Sequence, residues 1–238
     1  RTEVRVLYNN DAIYIAATLH DDPSKILKEI SQRDNFGTSD SFGVFINGYN
    51  DGQQDFQFYV TAANGQADCN FTSQDGEDYS WNAIWSSNAK ITDIGWVVEM
   101  RIPYAALRFP KKNIQTWGIN FFREVRRTRQ KYTWSPVYNT IGAFSQQAGI
   151  LKGIENIQPP TRLFLIPYIS AYYNTNKEDS ELTLKGGLDI KYGINDSFYC
   201  LIYCGIFKNN VGAFSAQFQS NRNNIFSGIL HYHSSRSR

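Results

Sequence analysis

Period-two alternation, cut at short intervals by Asn, Gly and Asp, constrains this chain most. In "GWVVEMRIP" (95–103), Trp96, Val98, Met100 and Ile102 fall on one face, and Val97, Glu99 and Arg101 on the other. Pro103 cannot donate to a ladder, so pairing stops there, and "YAALRF" follows as a short helical or irregular turn. The breaks "YNND", "NGYNDGQQD", "AANGQAD" and "YGIND" carry turn chemistry. Aromatic residues make up 15% of the chain, a bias toward strands over helices. These features predict an all-β chain.

Several hairpins follow. "EVRVLYNNDAIYIAATLHD" turns at Asn9–Asp11, and "DFQFYVTAANGQADCNFT" at Asn64–Gly65. Two strands meet between Thr92 and Gly95, and "TWGINFFREVRRTRQKYTWSP" turns near Arg127. In "SDSFGVFING", Phe42, Val44 and Ile46 share a side. "DPSKILKEISQRDN" is the one helical expectation, with Pro23 near its start and Ile26, Leu27 and Ile30 at helical spacing. About eight short strands fit an antiparallel β-sandwich.

The texture changes near Pro159–Pro160, a stiff break. Beyond it, "LFLIPYISAYY" is too short for a spanning helix but has the ~9–11 residues of a membrane β-strand. Gly186, Leu188, Ile190 and Tyr192 share one face; Gly187, Asp189 and Lys191 share the other. A few strands of an incomplete barrel and an ordinary second sheet both fit that alternation. From Ser197 to Arg238 there is no Asp or Glu.

A net charge of +2 gives no reason to expect nucleic acid as a partner. Cys69, Cys200 and Cys204 form no even disulfide framework and read as small buried side chains. Neither a phosphate loop nor G-x-S-x-G nor H-E-x-x-H occurs, and no two carboxylates are paired for glycoside hydrolysis, so the chain reads as non-enzymatic.

Taken in order, "VRVLYNNDAIYIAATLHDD", "SDSFGVFIN", "SWNAIW", the Gly-Trp-x-x-Glu-x-x-Ile-Pro core, Leu107-Arg108-Phe109 and Trp117–Phe121 resemble the family 9 carbohydrate-binding module-like domain. "QAGILKGIENIQPP" is similar to the junction at which such a domain precedes an outer-membrane β-barrel in a group of Gram-negative envelope proteins. The matches run over roughly residues 2–195. The resemblance implies a binding sandwich over 1–157, its first strands missing. It also implies a partial barrel segment over 158–238, divergent after about 197. It implies an exported, envelope or outer-membrane location and a carbohydrate partner. A structural plug or partner platform without sugar affinity is the alternative, and part of a glycoside hydrolase a third reading.

Sugars stack on flat aromatic faces, with a few planar polar groups on their hydroxyls. Trp81, Trp85 and Trp134 are the candidate platforms, and Arg33, Glu99, Arg101 and Arg123 the candidate polar groups. Trp96 and Trp117 read as core. Against a ligand role, Glu99 and Arg123 would form a cross-strand ion pair. The tip "REVRRTRQK" is a possible contact for anionic glycan or lipid headgroups, or simply solvated. No cofactor is expected. Because modules of this type can carry calcium, Asp75, Glu77 and Asp78 are weak candidates for it, though no twelve-residue calcium loop is present. His231 and His233 would share a strand face but lack a third ligand.

Overall fold

The computed structural model describes residues 1–138, 140–161, 163–175, 180–193, 198–206, 214–220 and 230–232. It divides into two compact units, Arg1–Pro160 and Thr161–Arg238. Among the described residues no helix is long and apolar enough to cross a membrane, which says nothing of strands.

The first unit is a sandwich of two antiparallel sheets. β1 (Thr2–Tyr8), β2 (Ala12–His20), β8 (Gly95–Pro103) and β7 (Ser86–Thr92) make a four-stranded sheet in that order. The other sheet runs β10 (Gln130–Thr133), β9 (Ile114–Val125), β3 (Ser41–Asn47), β4 (Gln54–Thr61), β5 (Gln66–Thr72), β6 (Gly76–Asp78). β11 (Gly149–Glu155) completes it, pairing with the first half of β9.

The expected alternation builds the core. Register sets Ile13 opposite Ile102, Ile15 opposite Met100, Ala17 opposite Val98 and Leu19 opposite Trp96, all buried. Facing them from the larger sheet are Phe42, Val44, Ile46, Phe58, Trp117 and Ile119. Asn9 closes the first hairpin, its Oδ1 accepting the backbone N–H of Asp11 and Ala12 at 2.9 Å each. Gly95 ends the β7–β8 turn at φ +141°, where a Cβ would lie 2.0 Å from the Leu19 carbonyl oxygen, so no side chain fits.

One expectation fails here. The stretch 22–35 is not a helix: a 3-10 turn at Pro23–Lys25 is all that forms. Its backbone is bonded from far along the chain. Ser39 Oγ donates to the Glu29 carbonyl and accepts from the Glu29 N–H, and the Asp40 N–H reaches the Leu27 carbonyl. Those bonds replace helical ones, and only Ile26 enters the core while Ile30 stays 94% exposed. β3, whose Phe42, Val44 and Ile46 share the inner side as expected, is buried on its other face too. Phe45, Tyr59, Ala67, Cys69 and Phe122 form a smaller cluster on the outer face of the larger sheet, covered by Phe36, Tyr79 and Phe144.

The second unit is an up-and-down antiparallel sheet of β12 (Leu163–Thr175), β13 (Ser180–Gly193), β14 (Phe198–Ile206), β15 (Phe214–Ser220) and β16 (Leu230–Tyr232). Its register sorts the residues sharply. Leu163, Leu165, Pro167, Ile169, Ala171 and Tyr173 pair with Tyr192, Ile190, Leu188, Gly186, Leu184 and Leu182. Over those six pairs the face is apolar, and much of it is exposed. The opposite face carries Ser170, Thr183, Lys185, Asp189 and Lys191 among its aromatics. His233 lies outside the described residues.

Candidate functional site

The larger sheet is wider than the smaller one. Where the four-stranded sheet ends at β1, the inner face of β9 and β10 is left open as a groove of about 880 Å³. Phe42 and Phe121 form its floor. Thr2, Val4 and His20 stand on one side, and Gln130, Tyr132 and Trp134 on the other. β10 alternates, so Gln130 and Tyr132 share a face, with Tyr132 opposite Arg123; Trp134, the residue after the strand, follows on, its backbone N–H donating to the Phe121 carbonyl. Tyr132 and Trp134 are 50% and 59% exposed.

The Trp134 ring is seated. It meets Phe121 edge-on at 5.9 Å between centroids, and part of it lies against Gly149, where a Cβ would come within 2.1 Å of the ring. Gly149 therefore leaves the space in which this indole rests.

Charges at the hairpin end of the groove are fixed by one acid. Asp21 accepts a two-pronged pair from Arg127, Nη2 to Oδ1 at 2.7 Å and Nη1 to Oδ2 at 2.9 Å. Arg123 Nη2 adds a bond to Oδ2 at 3.1 Å. Burial alone would raise the Asp21 carboxyl, but hydrogen bonds from Arg127 and the Asp22 N–H hold it below its ordinary range. Behind Arg127 lies buried Asp40, whose Oδ1 accepts the Arg126 N–H while Oδ2 has no hydrogen-bond partner. Burial raises that carboxyl.

The seven sequence candidates fall in three places. Trp134 and Arg123 line the groove. Arg123 is mostly committed to the protein: besides Asp21 it bonds the carbonyls of Arg1 and His20 and Thr2 Oγ1, tying the end of the first hairpin to β9. Arg33, Trp81 and Trp85 gather instead around Asp68, a fully buried side chain on β5. Arg33 is ion-paired to Asp68, Trp85 Nε1 donates to it at 3.1 Å, and Trp85 and Trp81 pack on Phe58. β5 is four strands from β10, about 19 Å at the usual strand spacing. Glu99 and Arg101 stand exposed on the outer face of the four-stranded sheet, beside Ala16 and Asn88 and beside Tyr14 and Ser86. The Glu99–Arg123 ion pair does not exist, because the two belong to different sheets and Arg123 points inward.

Asp75, Glu77 and Asp78 bond locally to Thr72, Tyr79 and Ser80, and among the described residues no group of three His, Cys, Asp or Glu gathers as a metal site. Sequence reasoning missed Tyr132 and Asp21, and reached Arg127 only as part of the basic tip "REVRRTRQK". For Tyr132 a signal existed, its position two residues from Trp134 at the end of one short strand.

Residues 1–134, more than half of the chain, match the carbohydrate family 9 binding domain-like family. The chain therefore belongs to that family, and its all-β sandwich is the family's architecture. Residues 159–229 match a domain of unknown function, DUF5916. Among solved structures, a protein from Bacteroides uniformis assigned as carbohydrate-binding is similar in fold, with a TM-score of 0.53 at 13% identity over 63% of this chain and 77% of that one. Family 9 carbohydrate-binding modules from Caldicellulosiruptor kristjanssonii, in complex with cellotriose and with glucose, reach TM-scores of 0.46 and 0.47. Both are 16% identical, over 67% of this chain and 75% and 77% of theirs. No curated protein matches the chain.

Proposed function

We propose that the first unit binds carbohydrate without catalysis, in the groove beneath β10. The observation that carries this reading is the exposed pair Tyr132 and Trp134 at the end of β10, beside the ordered polar groups Arg127 and Asp21. Aromatic faces supply apolar contact to the C–H face of a sugar ring, and a pre-oriented guanidinium supplies donors to its hydroxyls. Membership of a carbohydrate-binding family supports the same reading. A glycan array probed with the full chain in a non-sugar detergent tests it. Retention of at least one glycan, lost in Trp134→Ala with the melting temperature unchanged, is expected. Unchanged retention in that variant moves the site elsewhere. An empty array instead favours the structural reading, a platform with no sugar affinity.

The second unit carries a separate reading, a sheet of an outer-membrane β-barrel in an exported envelope protein. Its support is the apolar face from Leu163 to Tyr173 on β12 and from Leu182 to Tyr192 on β13, set against a face bearing Lys185, Asp189 and Lys191. Lipid outside and water inside would produce that division. The full chain is expected to float with phospholipid vesicles in a density gradient and to resist carbonate extraction. Recovery of all protein in the aqueous fraction refutes the reading.

A further inference from the structure

On the second sheet the apolar face of β12 and β13 has two limits. It begins at the pair Leu163–Tyr192 and runs to the pair Tyr173–Leu182, so a tyrosine stands at each end. Tyr192 and Tyr173 are 43% and 66% exposed, and Ile169 between them is 82% exposed. Charge lies beyond both limits in the sequence: Arg162 precedes β12, and Lys177, Glu178 and Asp179 lie between β12 and β13. The opposite face is marked differently. Tyr168 pairs with Gly187 midway between the limits, and Lys185 and Asp189 stand two residues to either side of Gly187. A charge that near the middle of a bilayer is costly on a lipid-facing surface, so the face bearing Leu163 and Tyr173 is the one that suits acyl chains.

Length fixes the angle. Ten residue steps from Leu163 to Tyr173, at about 3.4 Å each, make the band about 34 Å long. Upright, such a strand overruns the apolar band of an outer-membrane barrel, which is about 25 Å tall; tilted by about 35–45°, it spans about 24–28 Å. A tyrosine, with an apolar ring and a polar tip, suits the level at which acyl chains give way to headgroups.

Resting on the proposed barrel reading, we infer that the acyl chains of a bilayer cover this face, that β12 and β13 cross at a tilt of about 40°, and that Tyr173 and Tyr192 mark the two opposite headgroup levels. Ile169 and Leu188 lie near the bilayer centre on the lipid side. Tyr168, the neighbour of Ile169 at nearly the same height, faces away from lipid.

Single Trp substitutions test this in the full chain, reconstituted from a non-sugar detergent into phosphatidylcholine vesicles. Lipids brominated near the headgroup or near the bilayer centre serve as the quenchers. All five native Trp precede Pro160 and supply a constant background. The fluorescence added by Ile169→Trp, and by Leu188→Trp as a second central reporter, should be quenched most by the deep bromines. That of Tyr173→Trp and Tyr192→Trp should be quenched most by the shallow ones, and that of Tyr168→Trp should be spared. Equal quenching of Tyr168→Trp and Ile169→Trp, or deep quenching of Tyr173→Trp or Tyr192→Trp, overturns the inference while the membrane reading stands. A chain that stays in the aqueous fraction, its apolar faces covered by a second copy, overturns both, as does a chain that floats with the vesicles with no added Trp quenched.

Discussion

Asp55 offers a measurement that sees the first unit alone. It lies on β4, 2% exposed, on the face shared with Gln57 and Tyr59. Burial, with the nearby charge of Asp51 added, pushes it from 3.8 to about 7. The folded protein thus holds a proton that the unfolded chain releases at ordinary carboxylate pH. Asp55 favours folding fully below about pH 4, and that advantage drains away as pH rises to about 7. At about 1.4 kcal/mol per pH unit, the total is about 4 kcal/mol. Asp55→Asn removes the titration. Its amide needs partners of its own, and unmet donors cost roughly 1–3 kcal/mol at every pH. The informative quantity is therefore the slope, not the offset. All five Trp lie before Pro160, so urea unfolding followed by Trp fluorescence reports this unit. Between pH 4 and 7 the wild-type stability should fall relative to the variant by about 1.4 kcal/mol per unit, then run parallel above pH 7. Parallel curves throughout would mean that Asp55 titrates normally, through water or a partner reaching it, and the argument from burial fails.

Arg123→Met should cost about 3 kcal/mol by the same assay, because it strips a buried cation from the carbonyls of Arg1 and His20 while Arg127 stays on Asp21; a loss under 1 kcal/mol would deny it the pinning role. Trp85→Ala should cost about 3–5 kcal/mol and leave glycan retention alone, since its ring fills the core and its N–H serves Asp68. Glu99→Gln, by contrast, should change stability by no more than about 0.5 kcal/mol. Gly149→Val should push the Trp134 ring off its seat, shifting its fluorescence and weakening glycan retention as Trp134→Ala does, with the urea midpoint nearly unchanged.

What the sequence made legible was local. Alternation told which residues of β2 and β8 face inward, because period two is a property of a strand by itself. Turn chemistry located the hairpins at Asn9 and Asn64 for the same reason. The failures all involve partners distant in the chain. The stretch after Lys25 has helical spacing, but Ser39 and Asp40 supply its backbone bonds, and nothing within the stretch announces them. Glu99 and Arg123 each sit on an alternating strand, yet the pattern does not say that the strands join different sheets. Polar neighbours around Trp81 and Trp85 suggested an open loop. That loop passes from the larger sheet to the smaller, and in crossing it lays both rings on Phe58.

The groove has the same origin. Gln130, Tyr132 and Trp134 would be core residues if a strand of the smaller sheet lay opposite β10, and their alternation is that of an inner face. Among the described residues no strand of the smaller sheet lies beyond β1, which leaves them exposed, and strand order is a fact that no stretch of sequence carries. A short aromatic strand on the overhang of an unequal sandwich has a choice of fates: to be covered by another chain segment or to hold a ligand. The Arg123–Asp21–Arg127 network bears on that choice. An apolar strand laid over β10 would bury a partly exposed guanidinium at a desolvation cost. A hydroxylated ligand meets the same guanidinium as an acceptor and the same rings as a stacking surface, so the groove's chemistry favours the sugar.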